Sequence, residues 1–280
     1  MTRRSSLRLV VLVATLIGSA SPLFPAEPEA GGEEGRTAVP VRSGYERSPS
    51  QLWPAEVSSA NGVVVSGSEQ ASRAGAAVLA AGGNAVDAAV ATAFALGVTE
   101  PMTSGLGAET FILIYRADGQ TVAIDGSCYV PRLARATELQ ELRANADRGY
   151  LQDYKSAAVP GSLAALAYAL QYYGTKPLAD VVAPAIEIAD FGYTLNPSSH
   201  GELESLGFLV RHQEYVADLL LKGFTDTWDV DHVYCASDLA NTLRRIAASG
   251  AADFYHGAIA DEIDADMQRN GGYIRKSDLE

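Results

Sequence analysis

The stretch Gly82-Gly83-Asn84 followed by Ala85–Gly97 constrains this chain more than any other. Paired glycines stop a preceding helix, because glycine accepts the left-handed conformation at a helix C-terminus. Asn84 then offers an N-cap, and Asp87 sits three residues on, facing the exposed amides of the next helix. Residues Ala85–Gly97 are apolar almost all round, so the helix they form has no solvent face and must be wrapped by other elements. The helix before it, Glu69–Ala81, sets Ala71, Ala74, Val78 and Ala81 at helical spacing.

Strands flank this pair. Val63-Val64-Val65 is a β-branched run and reads as a short buried strand. Thr110–Tyr115 (TFILIY) and Thr121–Asp125 (TVAID) read as strands joined by a hairpin turn at Asp118-Gly119. The second half is helical. Val159-Pro160-Gly161-Ser162 leads into Leu163–Tyr173, which Gly174 ends. Pro177 opens a helix running to about Asp190, with a kink or break at Pro184. Ser198–Lys222 is a weaker helical stretch. Ser237 caps a helix with Leu239, Leu243 and Ile246 on its core face, and Phe254, Ile259, Ile263 and Met267 mark the last one. Helices and strands in this order, with no alternating βαβ repeat, define the α+β class.

The N-terminus carries an address. Arg3, Arg4 and Arg8 precede the apolar run Leu9–Ala20, too short for the ~20 residues of a membrane span but suited to the core of a signal peptide. Gly18 and Ala20 place small residues for cleavage after Ala20; Ser6 occupies the position where a twin-arginine signal has an aromatic residue. Residues 1–20 are therefore read as a signal peptide and the protein as exported, periplasmic or extracellular, and free of the membrane once the signal is removed. Residues 21–60, rich in proline, glycine and glutamate, read as a disordered linker, and 61–280 as the folded domain.

With 34 acidic against 21 basic residues, the net charge of −13 excludes a general nucleic-acid binder. Cys128 and Cys235 admit either one disulfide or two free thiols. His200, His212, His232 and His256 are scattered with no metal-ligand spacing, so no metal or cofactor is expected. No phosphate loop, GxSxG elbow or SxxK pair occurs; Gly105-Leu106-Gly107 reads as a tight turn, and Asp261, Glu262, Asp264 and Asp266 as a solvated helix face.

Three longer segments carry a resemblance. GGNAVDAAVATAFALGVTEPMTSGLGAETFILIY (Gly82–Tyr115), VPGSLAALAYALQYYGTKPLADVVAPAIEIADFGY (Val159–Tyr193) and DFYHGAIADEIDADMQRNGGYIRKSDLE (Asp253–Glu280) are similar, in order and spacing, to the large-subunit portion of the gamma-glutamyltransferase (glutathione hydrolase) family. The resemblance implies an N-terminal-nucleophile hydrolase fold, an αββα sandwich, of which this chain supplies the large-subunit part. It also implies a precursor that cuts itself, and a threonine at the start of a complementary small subunit that attacks the gamma-glutamyl amide of substrates such as glutathione. The acyl-enzyme then passes to water or an amino acid.

Two departures from the family pattern follow. No Thr-Thr-His motif occurs in the sequence, so no catalytic residue is expected in this chain, and the nucleophile is expected in a missing C-terminal part. Ser127 stands where the family commonly places an arginine that clasps the substrate's α-carboxylate; a serine replaces a bidentate charge-assisted contact with one neutral hydrogen bond. Arg132 lies close by in sequence and is a second candidate for that charge, or else a surface arginine. The resemblance thus leaves three readings: a gamma-glutamyltransferase part, a related acylase with another acyl group, or a noncatalytic remnant.

Overall fold

In a computed structural model, the described residues are 10–14, 58–145, 154–195, 197, 199–201, 203–204, 214–222, 226–228 and 231–280. Most of the linker 21–60, His212 and much of Ser198–Lys222 lie outside them. Val10–Ala14 and the described residues from Val64 to Glu280 belong to one compact unit.

Helices α1 (Glu69–Ala80) and α2 (Ala85–Thr99) form where the sequence places them. Ser68 caps α1 by accepting the Ala71 N–H, while Asn84 accepts the Val86 and Asp87 amides and Asp87 answers by accepting the Asn84 N–H at 2.7 Å. This reciprocal cap satisfies donors that a helix start leaves open. Helix α2 is buried on every side, from Val86 and Val90 to Phe94, Ala95 and Val98, with α1, α4 (Ser162–Tyr173) and α5 (Leu178–Phe191) around it.

Against this helical layer lies a three-stranded antiparallel sheet in the order β1 (Val10–Ala14), β2 (Thr110–Tyr115), β3 (Thr121–Gly126). The β2–β3 register runs from Thr110↔Gly126 to Tyr115↔Thr121, closed by a turn with Gly119 at φ +84°. Strand period two turns Thr110, Ile112 and Ile114 into the core and leaves Phe111, Leu113 and Tyr115 on the other face. Leu113 is 46% and Tyr115 48% exposed. Val10–Ala14, inside the apolar run read as a signal core, pairs along the edge of β2 from Val10↔Tyr115 to Ala14↔Phe111.

Helix α3 (Ala136–Ala144) and a short 3-10 turn at Tyr154–Ser156 follow the sheet. After α5 come α6 (Glu214–Leu220), the ribbon β4 (Leu221–Lys222) and β5 (Asp226–Thr227), α7 (Ser237–Ser249), α8 (Ala252–Tyr255), α9 (Ala258–Arg269) and α10 (Lys276–Leu279). Four expectations are corrected. Val63–Val65 is not a strand: Val65 is 82% exposed, no described strand pairs with the run, and the capping of α1 takes over at Ser66–Ser68. Helix α5 is not broken at Pro184, the alternative to a kink expected there. Ser237 is the first residue of α7 rather than its cap, which is Ala236 and makes no side-chain bond. The last helical stretch is divided between α8 and α9 at Gly257, where Asp253 closes in on the backbone and accepts the Ala258 N–H at 2.7 Å.

Candidate functional site

The end of β3 crosses the start of α4 at a pair of glycines. A Cβ on Gly126 would lie 2.6 Å from the Ala165 Cβ and 2.7 Å from the Thr110 carbonyl oxygen, and one on Gly161 would meet the Gly126 and Ser127 carbonyls. Only glycine permits this approach. Helix α4 begins without a side-chain cap, so its first amides use the neighbours: Ser162 N–H donates to the Ala108 carbonyl at 3.0 Å and Ala164 N–H to the Tyr255 hydroxyl at 3.0 Å. The Tyr255 hydroxyl in turn donates a hydrogen bond to the Pro160 carbonyl at 3.1 Å. Burial, opposed by the Ala164 amide, pushes the Tyr255 phenol up to about 12.

This crossing presents Ser127. Its backbone N–H donates to Asp125 Oδ1 at 2.9 Å and its hydroxyl to the same oxygen at 2.5 Å. The hydroxyl foremost, then the amide, holds the Asp125 carboxyl below the usual carboxylate range, so an anion sits beside Ser127. Asp125-Gly126-Ser127 is the side-chain turn that Asp-x-Ser spacing allows, a signal readable in the sequence but overlooked there. The adjoining Cys128 thiol is pushed up by burial, against the Gly161 amide. Cys128 and Cys235 are both free thiols.

Arg132 meets Asp278. Its backbone N–H donates to Asp278 Oδ1 at 3.1 Å and its Nε lies 3.7 Å from the same oxygen, with the side chain 74% exposed. Beneath the glycine crossing lies an apolar cavity between α2, α4 and α7, and on its wall the Thr110 and Ser162 hydroxyls bond each other at 2.7 Å. Gly105 turns the α2–β2 loop over it, with Ala108 N–H donating to the Gly105 carbonyl at 3.2 Å, as a tight turn does. Among the described residues no group of three or more His, Cys, Asp or Glu could hold a metal ion.

A helical layer around one wholly buried helix, set against an antiparallel sheet, is a mixed α+β fold. The sequence model of the family Gamma-glutamyltranspeptidase matches residues 71–280, and the chain belongs to that family. It is 34% identical to the glutathione hydrolase proenzyme of Escherichia coli over 285 residues, covering 100% of this chain and 46% of that protein. It is 38% identical to the acylase ACY 1 proenzyme of Pseudomonas sp. strain SE83 over 230 residues, covering 79% and 41%. Among solved structures, Helicobacter pylori gamma-glutamyltranspeptidase superposes with a TM-score of 0.71 at 34% identity, over 81% of this chain and 65% of that one. The chain spans less than half the length of these curated relatives.

Proposed function

We propose that this chain is the large-subunit part of an exported amide-cleaving enzyme that a complementary, threonine-bearing small subunit completes. In this reading the enzyme cleaves gamma-glutamyl amides such as glutathione through a threonine acyl-enzyme and passes the acyl group to water or an amino acid. The observation that carries it is the sheet. One face packs on α2 and α4 while the other leaves Leu113 and Tyr115 half-exposed, as suits one half of an αββα sandwich awaiting a second sheet. The relatives' names, glutathione hydrolase and gamma-glutamyltranspeptidase, support this substrate class. Export rests on Leu9–Ala20; no described helix is long and apolar enough to cross a membrane.

A second reading, an acylase of the same fold with a different acyl group, has a specific observation in its favour. Ser127 is bonded to the Asp125 carboxylate, so the position that would clasp a substrate carboxylate carries negative charge instead. The identity to acylase ACY 1 points the same way. The test is turnover of a chromogenic gamma-glutamyl anilide and of glutaryl- and phenylacetyl-anilides by residues 21–280, alone and co-expressed with a threonine-bearing small subunit. Gamma-glutamyl turnover only in the co-expressed form supports the first reading; turnover only of the other anilides supports the second; none at all supports a remnant.

A further inference from the structure

We propose that Asp278 is a positioning residue for the loop Ser127–Arg132, tying the C-terminal helix α10 to the candidate site. The proposal rests on the reading of Ser127 as a substrate-facing residue given above.

The Asp278 side chain is only 3% exposed. A carboxylate so enclosed is costly unless donors reach it. One donor is local: Arg275 N–H meets Asp278 Oδ2 at 2.9 Å at the start of α10. The other comes from far away in the sequence, the Arg132 N–H on Oδ1 at 3.1 Å. Helix α10 spans only Lys276–Leu279, too short to hold its shape unaided, so its place depends on such ties.

A second tie runs parallel to the first. Tyr129 and Val159 exchange both backbone hydrogen bonds, at 3.0 and 2.8 Å. Val159 is buried in a small apolar cluster with Ala260, Ile274 and Leu279, so the same C-terminal segment holds this bridge from beneath. The main chain from Ser127 to Arg132 is therefore pinned at Tyr129 through Val159 and at Arg132 through Asp278. What Asp278 grips is the Arg132 backbone; the guanidinium adds only a long, solvent-exposed ion pair, which contributes little. Asp278, not the Arg132 side chain, carries the coupling.

Amide hydrogen exchange on the chain itself tests this. Asp278→Ala is expected to speed exchange of the Ser127–Arg132 amides by about tenfold or more, Asp278→Asn, which keeps an acceptor oxygen, by far less, and Arg132→Ala hardly at all. In the completed enzyme, Asp278→Ala should lower kcat/KM for the substrate that wild type turns over by about tenfold, with Asp278→Asn restoring most of it and Arg132→Ala staying within about twofold. Faster exchange confined to α10 would overturn the proposal, as would a KM rise from Arg132→Ala with Asp278→Ala silent, the mark of an arginine that clasps substrate. If Asp278→Ala does not fold, Asp278→Ser, whose shorter side chain draws back from the Arg132 amide, takes its place: loop exchange unchanged from wild type in Asp278→Ser overturns the coupling. Wild type without turnover of any anilide would sink the function above, while the exchange measurement still decides the coupling.

Discussion

Asp87 accepts the Thr175 hydroxyl at 2.6 Å and the Thr175 amide at 2.8 Å, joining the start of α2 to the turn between α4 and α5. Asn84 N–H and Lys176 N–H complete the set, at 2.7 and 3.1 Å, around a carboxylate with no exposed surface. The Asn84 side chain adds a link in the same direction by donating to the Tyr173 carbonyl at 2.7 Å.

Replacing Asp87 by alanine would strand four donors that converge on one buried point. Orphaned buried donors cost about 1–3 kcal/mol each, partly relieved by relaxation, so a loss of about 3 kcal/mol or more in urea unfolding is expected. Thr175→Val removes one bond and should cost about 1–2 kcal/mol. Equal stability of wild type and Asp87→Ala would show that the hub is not holding the two turns together.

The same carboxylate sets a pH dependence. Burial is the largest single influence and opposes its ionisation, yet the Thr175 hydroxyl and the Asn84, Thr175 and Lys176 amides together outweigh it and hold Asp87 below its ordinary value. A depressed folded value contributes stability that is complete above the unfolded carboxyl's ~3.9 and is lost as pH falls through the folded one. The stability difference between wild type and Asp87→Asn should therefore narrow below about pH 4. A gap that stays constant from pH 7 down to pH 3 would contradict this.

This hub was half legible in the sequence. Gly82-Gly83, the Asn84 cap and the role of Asp87 at its own helix start follow from local chemistry, and the structure places them so. That Asp87 also reaches Thr175 depends on how two turns meet across 88 positions of sequence, which no local pattern encodes. The same division holds elsewhere. The turn at Asp118-Gly119 and both of its strands were readable, whereas Val63–Val65 has strand composition but no described strand beside it. At the candidate site the bond from Ser127 to Asp125 is local and could have been read, but the link between Arg132 and Asp278 spans 146 positions and arises from tertiary packing alone.

Tyr255 supplies what α4 lacks at its first turn. Tyr255→Phe would leave the Ala164 amide and the Pro160 carbonyl without this partner, at a cost of about 1–3 kcal/mol. With the folded phenol near 12, its contribution is complete below the free tyrosine's ~10 and fades as pH climbs through the folded value. Alkaline titration followed by phenolate absorbance should show a late-ionising set of tyrosines, Tyr255 with Tyr154 and Tyr234, and Tyr255→Phe should shrink that late amplitude. A late amplitude unchanged by the substitution would assign all of it to the other two tyrosines.

The uncovered sheet face makes a prediction about the chain on its own. Leu113 and Tyr115 offer an apolar surface of the kind that recruits dye and other copies. Residues 21–280, which lack the β1 strand, also leave the edge of β2 bare. This form should bind hydrophobic dye strongly and associate with rising concentration, and Leu113→Glu with Tyr115→Glu should suppress the dye signal. A monomeric protein with a cooperative melt and little dye binding would favour a remnant adapted to stand alone.

The last prediction concerns Ser127→Arg in the completed enzyme. An arginine there would offer two parallel donors to a substrate carboxylate, typically ten- to a hundredfold in affinity for a hydrogen bond to a charged group. Asp125 competes for it, because that carboxylate already holds the Ser127 hydroxyl and amide and would attract a guanidinium at the same point. The single substitution should therefore lower KM for a gamma-glutamyl anilide by roughly tenfold at most, and Ser127→Arg with Asp125→Asn should gain more. The decarboxylated analogue, a 4-aminobutyryl anilide, should show no such gain in either variant, since it has nothing for the arginine to hold. Strong wild-type preference for the carboxylate-bearing anilide, unchanged by the arginine, would mean that another residue does the clasping and that Ser127 is only the turn residue its bond to Asp125 makes it.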